Sequence, residues 1–278
     1  MSKKIALVTG AEGFNGSHLV KHLVQQGWQV RAFVLYNSFQ SLGWLDSLPT
    51  KILPNIEVFF GDVRDAFRVQ EATEGVDVVF HLAALIAIPY SYHAVQSYVG
   101  VNINGTLNLL EALKKQKQTR LLCISTSEVY GTATYVPIDE AHPLQPQSPY
   151  SASKIGAESL ALSYFHSFDL DVTVLRPFNT YGPHQSIRAV IPSIILQLLR
   201  NEPELQLGDP TPTRDFLFVN DHVAALEKVA LQPASKGQVL NIATNQEISI
   251  GDLAELLIKK IRPLTKIVLD PKRLRPEG

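Results

Sequence analysis

"VTGAEGFNGSHL", residues 8–19, decides the fold. It follows the short apolar run Ile5 to Thr9 at once and opens a helical pattern from Phe14 to Gln26, so that Gly10, Gly13 and Gly16 stand at three-residue spacing between a strand and a helix. Such a turn must be tight, its backbone must approach a pyrophosphate closely, and the free N–H groups at the helix start must meet the anion; glycine serves because it has no Cβ. A glycine-rich turn without a ligand spells the same letters. The placement between strand and helix makes a dinucleotide cradle the stronger reading.

Working outward, β-branched runs recur at Val30 to Leu35, Ile56 to Phe60, Val76 to His81, Leu121 to Thr126 and Val172 to Arg176, separated by helical patterns such as Val101 to Gln116. Strand and helix in this alternation imply right-handed crossovers and a parallel sheet covered on both faces. The expected fold class is α/β, a doubly wound parallel sheet of Rossmann type. After Arg176 the texture changes: Pro177, Pro183, Pro192, Pro203, Pro210 and Pro212 break the chain into short pieces, as in a smaller, loop-rich C-terminal substrate lobe. The expected division is a dinucleotide-binding domain over 1–176, with a late return near 214–243, and a substrate lobe over 177–278. Val239 to Ala243 reads as a buried strand and Asp252 to Ile261 as an amphipathic helix.

The 278 residues are 45% hydrophobic and 18% charged, which suffices for a substantial core. A net charge of −1 offers no global field for nucleic acid or an anionic membrane surface, so neither partner is expected. The single cysteine, Cys123, sits in an apolar run and reads as a packed core thiol. The apolar stretch before Gly10 is too short for a signal peptide, and no run approaches a membrane span, which points to a cytoplasmic protein. The eight histidines show no paired spacing for a metal, and His81 reads as packed.

Two further stretches suit a dinucleotide. "GDVRD" puts Asp62 at the end of the third strand, where its carboxylate can accept from an adenine amino group or cap a helix, and "HLAA" supplies the small Ala83 and Ala84 after the fourth. The second strand ends in Val34, Leu35 and Tyr36, with neither an acid for a ribose 2′-hydroxyl nor an arginine for a 2′-phosphate. The expected cofactor is NAD, because no cation is offered to a phosphate and Arg31 is expected to point elsewhere; NADP stays open.

"SPYSASKIGAESLAL" starts a helix and places Tyr150 and Lys154 four residues apart, on one face. A phenol titrates near 10 unperturbed, and a neighbouring ammonium is expected to bring it toward working range as a base. The run "STSEVYG" sets Glu128 where a hydrophobic strand runs out. In a parallel sheet that end faces ligands; otherwise Glu128 is a solvated, salt-bridged or capping residue.

With "TGAEGFNGSHL", "GDVRD", "HLAA", Asn102 before "NGT", "STSEVYG", "YSASK", "RPFNTYGP" and "RDFLFVND" in order, the chain resembles the extended short-chain dehydrogenases/reductases from Lys4 to Arg275, particularly the nucleotide-sugar 4,6-dehydratases. It is most similar to the retaining UDP-N-acetylglucosamine 4,6-dehydratases of legionaminic-type pathways, which share the segment "AFVLYNSFQSLGWLD". The resemblance implies that Tyr150 takes the proton from the sugar O4, Lys154 holds the nicotinamide ribose, Thr126 hydrogen-bonds O4, and Glu128 removes the C5 proton before water leaves C6 and hydride returns there. It implies cofactor contacts at Gly10, Gly13, Phe14, Gly16, Asp62, Val63, Ala83, Ala84, Asn102 and Pro177 besides Tyr150 and Lys154. On the substrate side it implies Ser127, Asn179, Arg214 and Arg275, the arginines and Asn179 toward the diphosphate.

Simple 4-epimerases usually carry an uncharged residue at the position of Glu128, so a carboxylate there favours elimination. Ser127 stands where dTDP-glucose dehydratases have an Asp proposed as the acid for C6. UDP-glucuronate decarboxylases share the "STSEV" string, and a non-catalytic dinucleotide sensor is the alternative from another class, although such proteins commonly lose the Tyr and Lys pair. Tyr90 and Tyr92 are candidates for the sugar pocket or for packing. Relatives usually continue well beyond the position of Arg275; the chain is either naturally short or lacks its tail, and nucleotide binding is expected to suffer while cofactor binding survives. Relatives commonly pair as homodimers through the helix after the fourth strand and the helix of Tyr150, and a homodimer is expected.

Overall fold

The computed structural model describes residues 3–116, 118–200 and 203–271, in two units: Met1–Pro177 with Val219–Ile242, and Phe178–Phe218 with Ala243–Gly278. The first unit runs β1 (Ile5–Thr9), α1 (Phe14–Gln25), β2 (Gln29–Leu35), β3 (Ile56–Gly61), α2 (Ala66–Thr73), β4 (Val78–His81), the short α3 (Ile88–Ser91) and α4 (Val95–Tyr98), a π-helical turn Val99–Asn104, α5 (Gly105–Lys114), β5 (Arg120–Ile124), α6 (Pro149–Phe168) and β6 (Val172–Pro177). The chain then enters the second unit with β7 (Asn179–Tyr181), α7 (Val190–Leu199), β8 (Glu204–Leu207) and β9 (Thr213–Phe218). It returns with α8 (Val219–Ala230) and β10 (Val239–Ile242), and ends its described course in the second unit with β11 (Glu247–Ser249), α9 (Ile250–Ile261) and β12 (Lys266–Leu269).

Seven strands of the first unit form one sheet in the order β10-β6-β5-β4-β1-β2-β3, every neighbour parallel. The order reverses between β1 and β4, and the crevice beyond their carboxyl ends is where open α/β sheets bind ligands. Alternation along the strands sends Leu7, Val79, Leu121 and Cys123 to one face, under α2, α5 and α6, where Leu109, Leu110 and Leu113 are buried at about 1.5–3 kcal/mol apiece. Burial also pushes the Cys123 thiol up to about 11, as suits a packed thiol. Trp28 packs edge-on against Phe80 and donates from Nε1 to Glu227 of α8 at 2.9 Å. The buried Arg120 pairs with Asp171 at 3.1 Å and donates to the last carbonyls of α8, Val229 O and Ala230 O, closing that helix with a cation.

Three of the differences from the sequence reading bear on the site and the division of the chain. The expected strand to Thr126 stops at Ile124, because Thr126 turns to cap a 3₁₀ turn at Ser127–Tyr130. The expected helix from Val101 to Gln116 is interrupted at its start, where a wide π turn carries Asn102. The return begins at Val219 rather than near 214, because β9 pairs with β7 and β11 in the second unit.

The second unit has its own small core, Ile194, Leu198, Leu205, Leu207 and Ala254. A three-stranded sheet in the order β11-β9-β7 and the parallel pair β12-β8 supply its strands, and α7 packs on α9. The prolines that suggested loops sit at element ends: Pro192 lies in the first turn of α7, where its missing N–H costs nothing, and Pro203 and Pro212 stand just ahead of β8 and β9. Among the described residues no helix is long and apolar enough to cross a membrane.

Candidate functional site

The glycine turn is shaped by backbone contact. Gly10 has φ +67°, and a Cβ there would lie 2.9 Å from the backbone of Ala83; a Cβ on Gly16 would lie 2.0 Å from Gly10 O. A turn this close to the end of β4 admits only small neighbours, which Ala83 and Ala84 supply. Gly13 forms the N-cap of α1 without a side-chain cap, no acid stands in the first turn, and Phe14 opens the helix, so the helix start suits an anion. The residues therefore fit the pyrophosphate of a dinucleotide.

The ends of β1 and β4 are tied across the switch point. Ala83 N donates to Thr9 Oγ1 at 3.1 Å, Thr9 Oγ1 lies 2.8 Å from His81 Nδ1, and His81 Nε2 lies 3.0 Å from Thr106 Oγ1, which donates to Asn102 O at 2.6 Å. Because the Thr106 hydrogen is committed to that carbonyl, His81 must donate from Nε2 and accept from Thr9 at Nδ1. Burial, and then the charge of Lys154, lower the pKa of His81 to about 3, so the ring is a neutral strut. The buried Asn102 accepts from Leu85 N at 2.9 Å and donates to Leu85 O at 3.0 Å and Ser153 Oγ at 2.9 Å. It ties the segment after β4 to α6.

Asp62 is not the helix cap; Asp65 caps α2 by accepting from Phe67 N and Arg68 N. The Asp62 carboxylate accepts from Arg64 N at 2.9 Å and pairs with its guanidinium at 2.5 Å, and this hydrogen bonding holds the carboxyl below its usual range. Val63 is buried under Gly105, and its carbonyl accepts from Asn108 at 2.9 Å. Arg31 does turn away, its Nε on Glu57 at 2.8 Å and its NH1 on Ala72 O and Glu74 O.

The residues expected to react gather beyond β5. Ser148 and Ser151 form a capping box and Pro149 takes the first helical position, so α6 begins one residue before Tyr150 and carries Lys154 a turn later on the same face. Tyr150 is buried, hydrogen-bonded by the Thr126 side chain, and edge-on to Tyr98 at 6.3 Å. Tyr98 in turn lies 6.3 Å from Tyr90, and Tyr90 and Tyr92 are both half-exposed. Thr126 Oγ1 also accepts from Glu128 N at 3.2 Å, fixing the 3₁₀ turn that presents Glu128, half-buried, near the phenol. Val129 and Tyr130 anchor that turn in the core, and Gly131 leaves it at φ +64°.

The expected electrostatics reverse in one respect. Burial, joined by the charges of Glu128 and Tyr98, raises the pKa of Tyr150, and only the Thr126 hydrogen bond opposes it. Lys154 is not among the groups that act on it: its Nζ donates to Ile124 O at 2.5 Å, and burial lowers its own pKa, against the pull of Cys123 and Glu158. One turn further on, the buried Glu158 meets Arg176 of β6 at 2.9 Å, and Arg176 donates to Tyr130 Oη at 2.9 Å. Sequence reasoning missed this pair, although the step of four from Lys154 to Glu158 was a signal. It also passed over Glu12.

Ser127 lies in the same turn as Glu128, and Pro177 ends β6. Asn179 and Arg214 stand on β7 and β9 of the second unit, Arg214 donating to Thr213 O at 2.7 Å. Arg275 lies outside the described residues. Among those described, no group of three or more His, Cys, Asp or Glu could hold a metal ion.

The profile of the family described as "GDP-mannose 4,6 dehydratase" matches residues 7–273. Human dTDP-D-glucose 4,6-dehydratase is 34% identical over 263 residues, which span 93% of this chain and 74% of the human protein. The crystal structure of DesIV, a dTDP-glucose 4,6-dehydratase of Streptomyces venezuelae with NAD bound, is similar at a TM-score of 0.85 and 30% identity over 97% of this chain and 85% of that one. The UDP-N-acetylglucosamine 4-epimerase of Methanobrevibacter ruminantium, in complex with UDP-N-acetylmuramic acid, is similar at 0.89 and 31% over 100% and 88%. A match of this extent, to dehydratases and an epimerase alike, places the chain in the extended short-chain dehydrogenase/reductase family of nucleotide-sugar 4,6-dehydratases and epimerases.

Proposed function

We propose that the protein is an NAD-dependent 4,6-dehydratase that converts a nucleoside diphosphate hexose, UDP-N-acetylglucosamine, to its 4-keto-6-deoxy form. The observation that carries this reading is the carboxylate of Glu128, half-buried on a capped turn and near enough to the Tyr150 phenol for its charge to raise the phenol pKa. A base placed there has a use in elimination and none in simple epimerisation.

NAD, once bound, supplies the acceptor that takes hydride from C4 and gives it back at C6. The remaining steps fall to the chain. Tyr150 takes the O4 proton, Thr126 orients O4 through the hydroxyl that already meets the phenol, and Lys154 holds the nicotinamide ribose. The cationic nicotinamide then favours the phenolate that burial alone disfavours. The C4 ketone acidifies C5; Glu128 removes that proton and gives it to the departing C6 hydroxyl as water, because Ser127 has no acidic proton to offer. The proton released from O4 balances the one added at C5 when hydride reaches C6. Gly10, Gly13, Phe14 and Gly16 take the pyrophosphate of NAD, Asp62 and Val63 its adenine, and Ala83, Ala84 and Pro177 flank it, with Asn102 holding the segment after β4. Asn179, Arg214 and Arg275 are assigned to the sugar-nucleotide diphosphate, and the protein to a homodimer, which its mass in solution would test.

The likeness to a 4-epimerase supports a second reading. Incubation with UDP-N-acetylglucosamine separates the two: the dehydratase gives a product lighter by one water, an epimerase an isomer of unchanged mass, and a decarboxylase acts only on the glucuronate. No dehydrated product from any nucleotide hexose would end the dehydratase reading.

A further inference from the structure

Open dinucleotide-binding sheets usually carry, at the end of the second strand, an acid that grips the adenosine ribose. Here that strand ends in Leu35, followed by Tyr36 and Asn37. Asn37 is committed to its own turn, with Nδ2 on Ser41 O at 2.9 Å and Oδ1 accepting from Ser41 N at 3.2 Å. A carboxylate is nevertheless present at this strand end, delivered from the glycine turn: Glu12 Oε1 accepts from Leu35 N at 3.0 Å. Its second oxygen, Oε2, is buried and has no hydrogen-bond partner among the described residues.

The segment after β2 pins Glu12 from the other side. Trp44 N donates to Glu12 O at 3.0 Å, and Gly43, at φ +57°, lies so close that a Cβ would stand 2.7 Å from Glu12 O and 3.0 Å from Glu12 Cβ. A carboxylate fixed by its backbone and by one oxygen, with the other covered and unmatched, bears a desolvation cost, seen in its raised pKa, that a hydroxyl reaching Oε2 on displacing that cover would relieve. Of the nearby cations, Arg31 is spent on Glu57 and two carbonyls, and Arg64 on Asp62.

We propose that Glu12, from the glycine turn, is the group that reads the 2′-hydroxyl of the adenosine ribose and selects NAD against its 2′-phosphorylated counterpart. This rests on the glycine turn being the dinucleotide cradle. A hydroxyl satisfies Oε2 with one short hydrogen bond; a phosphate brings like charge against a carboxylate that cannot swing away.

The test titrates the full chain, freed of any dinucleotide that copurifies, with NAD, NADP and the 2′-deoxyadenosine analogue of NAD, followed by tryptophan fluorescence. Wild type should bind NAD at least tenfold more tightly than either of the others. Glu12→Gln, which keeps the acceptor for Leu35 N but drops the charge, should cut the NAD-to-NADP preference at least tenfold. Equal binding of NAD and the 2′-deoxy analogue by wild type overturns the proposal, and does so even if the variant fails to fold. Equal loss of NAD and NADP affinity in Glu12→Gln also overturns it, since a purely structural glutamate would give that result. If no dinucleotide binds, the cradle reading falls as well, whereas binding without discrimination removes only Glu12.

Discussion

The glycine turn and the face of α6 that carries Tyr150, Lys154 and Glu158 belong to the same unit and are built differently. The turn works by what its residues lack: Gly10 and Gly16 let backbone meet backbone where a single Cβ would collide. The helix face works by what surrounds it, because three titratable side chains are buried there and burial favours the neutral form of each, opposed by Thr126 at the phenol, by Cys123 and Glu158 at the amine and by Arg176 at the acid. A site of the first kind is local in sequence and intolerant of added atoms. The second kind draws on β5, β6 and the turn after β5, and is sensitive to removed charges.

The sharpest way to separate chemistry from scaffold within that cluster is Glu128→Gln. It should slow turnover by roughly 10²–10⁴, the worth of a lost general base, while leaving C4 oxidation visible as transient NADH absorbance. Unchanged turnover would remove Glu128 from the reaction. Next in size, Arg176→Met should destabilise the fold by about 3–5 kcal/mol, because it leaves Glu158 buried without its cation. The double replacement with Glu158→Leu should recover much of this loss in urea unfolding; a double variant no more stable than Arg176→Met would show that the pair stabilises beyond its own charge balance.

How much of this was legible beforehand follows the same division. The doubly wound parallel sheet, the glycine turn between β1 and α1, and the placement of Tyr150 and Lys154 on one helix face could be read because period, glycine spacing and a step of four residues are local signals. The direction of the Tyr150 shift could not. Lys154 stands at the right spacing and its Nζ points to Ile124 O, thirty residues away in sequence, while burial, which no local pattern reports, dominates the phenol. Glu12 was equally hidden. It sits inside the most conspicuous motif of the chain, yet its role depends on meeting Leu35 N, a contact set by the pairing of β1 with β2. Asp62 was read as an adenine partner or a cap, and the cap belongs to Asp65, since only the carboxylate one residue ahead of α2 reaches Phe67 N and Arg68 N.

On the side of the turn, Gly16→Ala should cost about 1–3 kcal/mol by overpacking, and it should abolish NAD binding outright because the added Cβ displaces Gly10 O. Retained NAD affinity would show that the cradle tolerates a shift the close approach to Ala83 argues against.

The smallest effect joins the two regions, because His81 stands at the end of β4 between Thr9 and Thr106 and is lowered in part by Lys154. Its folded pKa, about 3, lies below the ordinary value of 6.5, and His222 is likewise lowered by burial, to about 4. Between these values and 6.5 the unfolded chain binds more protons than the folded one, so stability must fall as pH drops through that window. Each ring contributes a slope of at most about 1.4 kcal/mol per pH unit. Replacing His81 with Gln lowers the stability at every pH by the lost hydrogen bonds, so the informative quantity is the slope: urea midpoints measured from pH 6.5 down to 4 should fall about half as steeply from histidine titration in His81→Gln as in wild type. An unaltered slope would mean that His81 takes up its proton without leaving the folded state, and the neutral strut between the glycine turn and α5 would have to be given up.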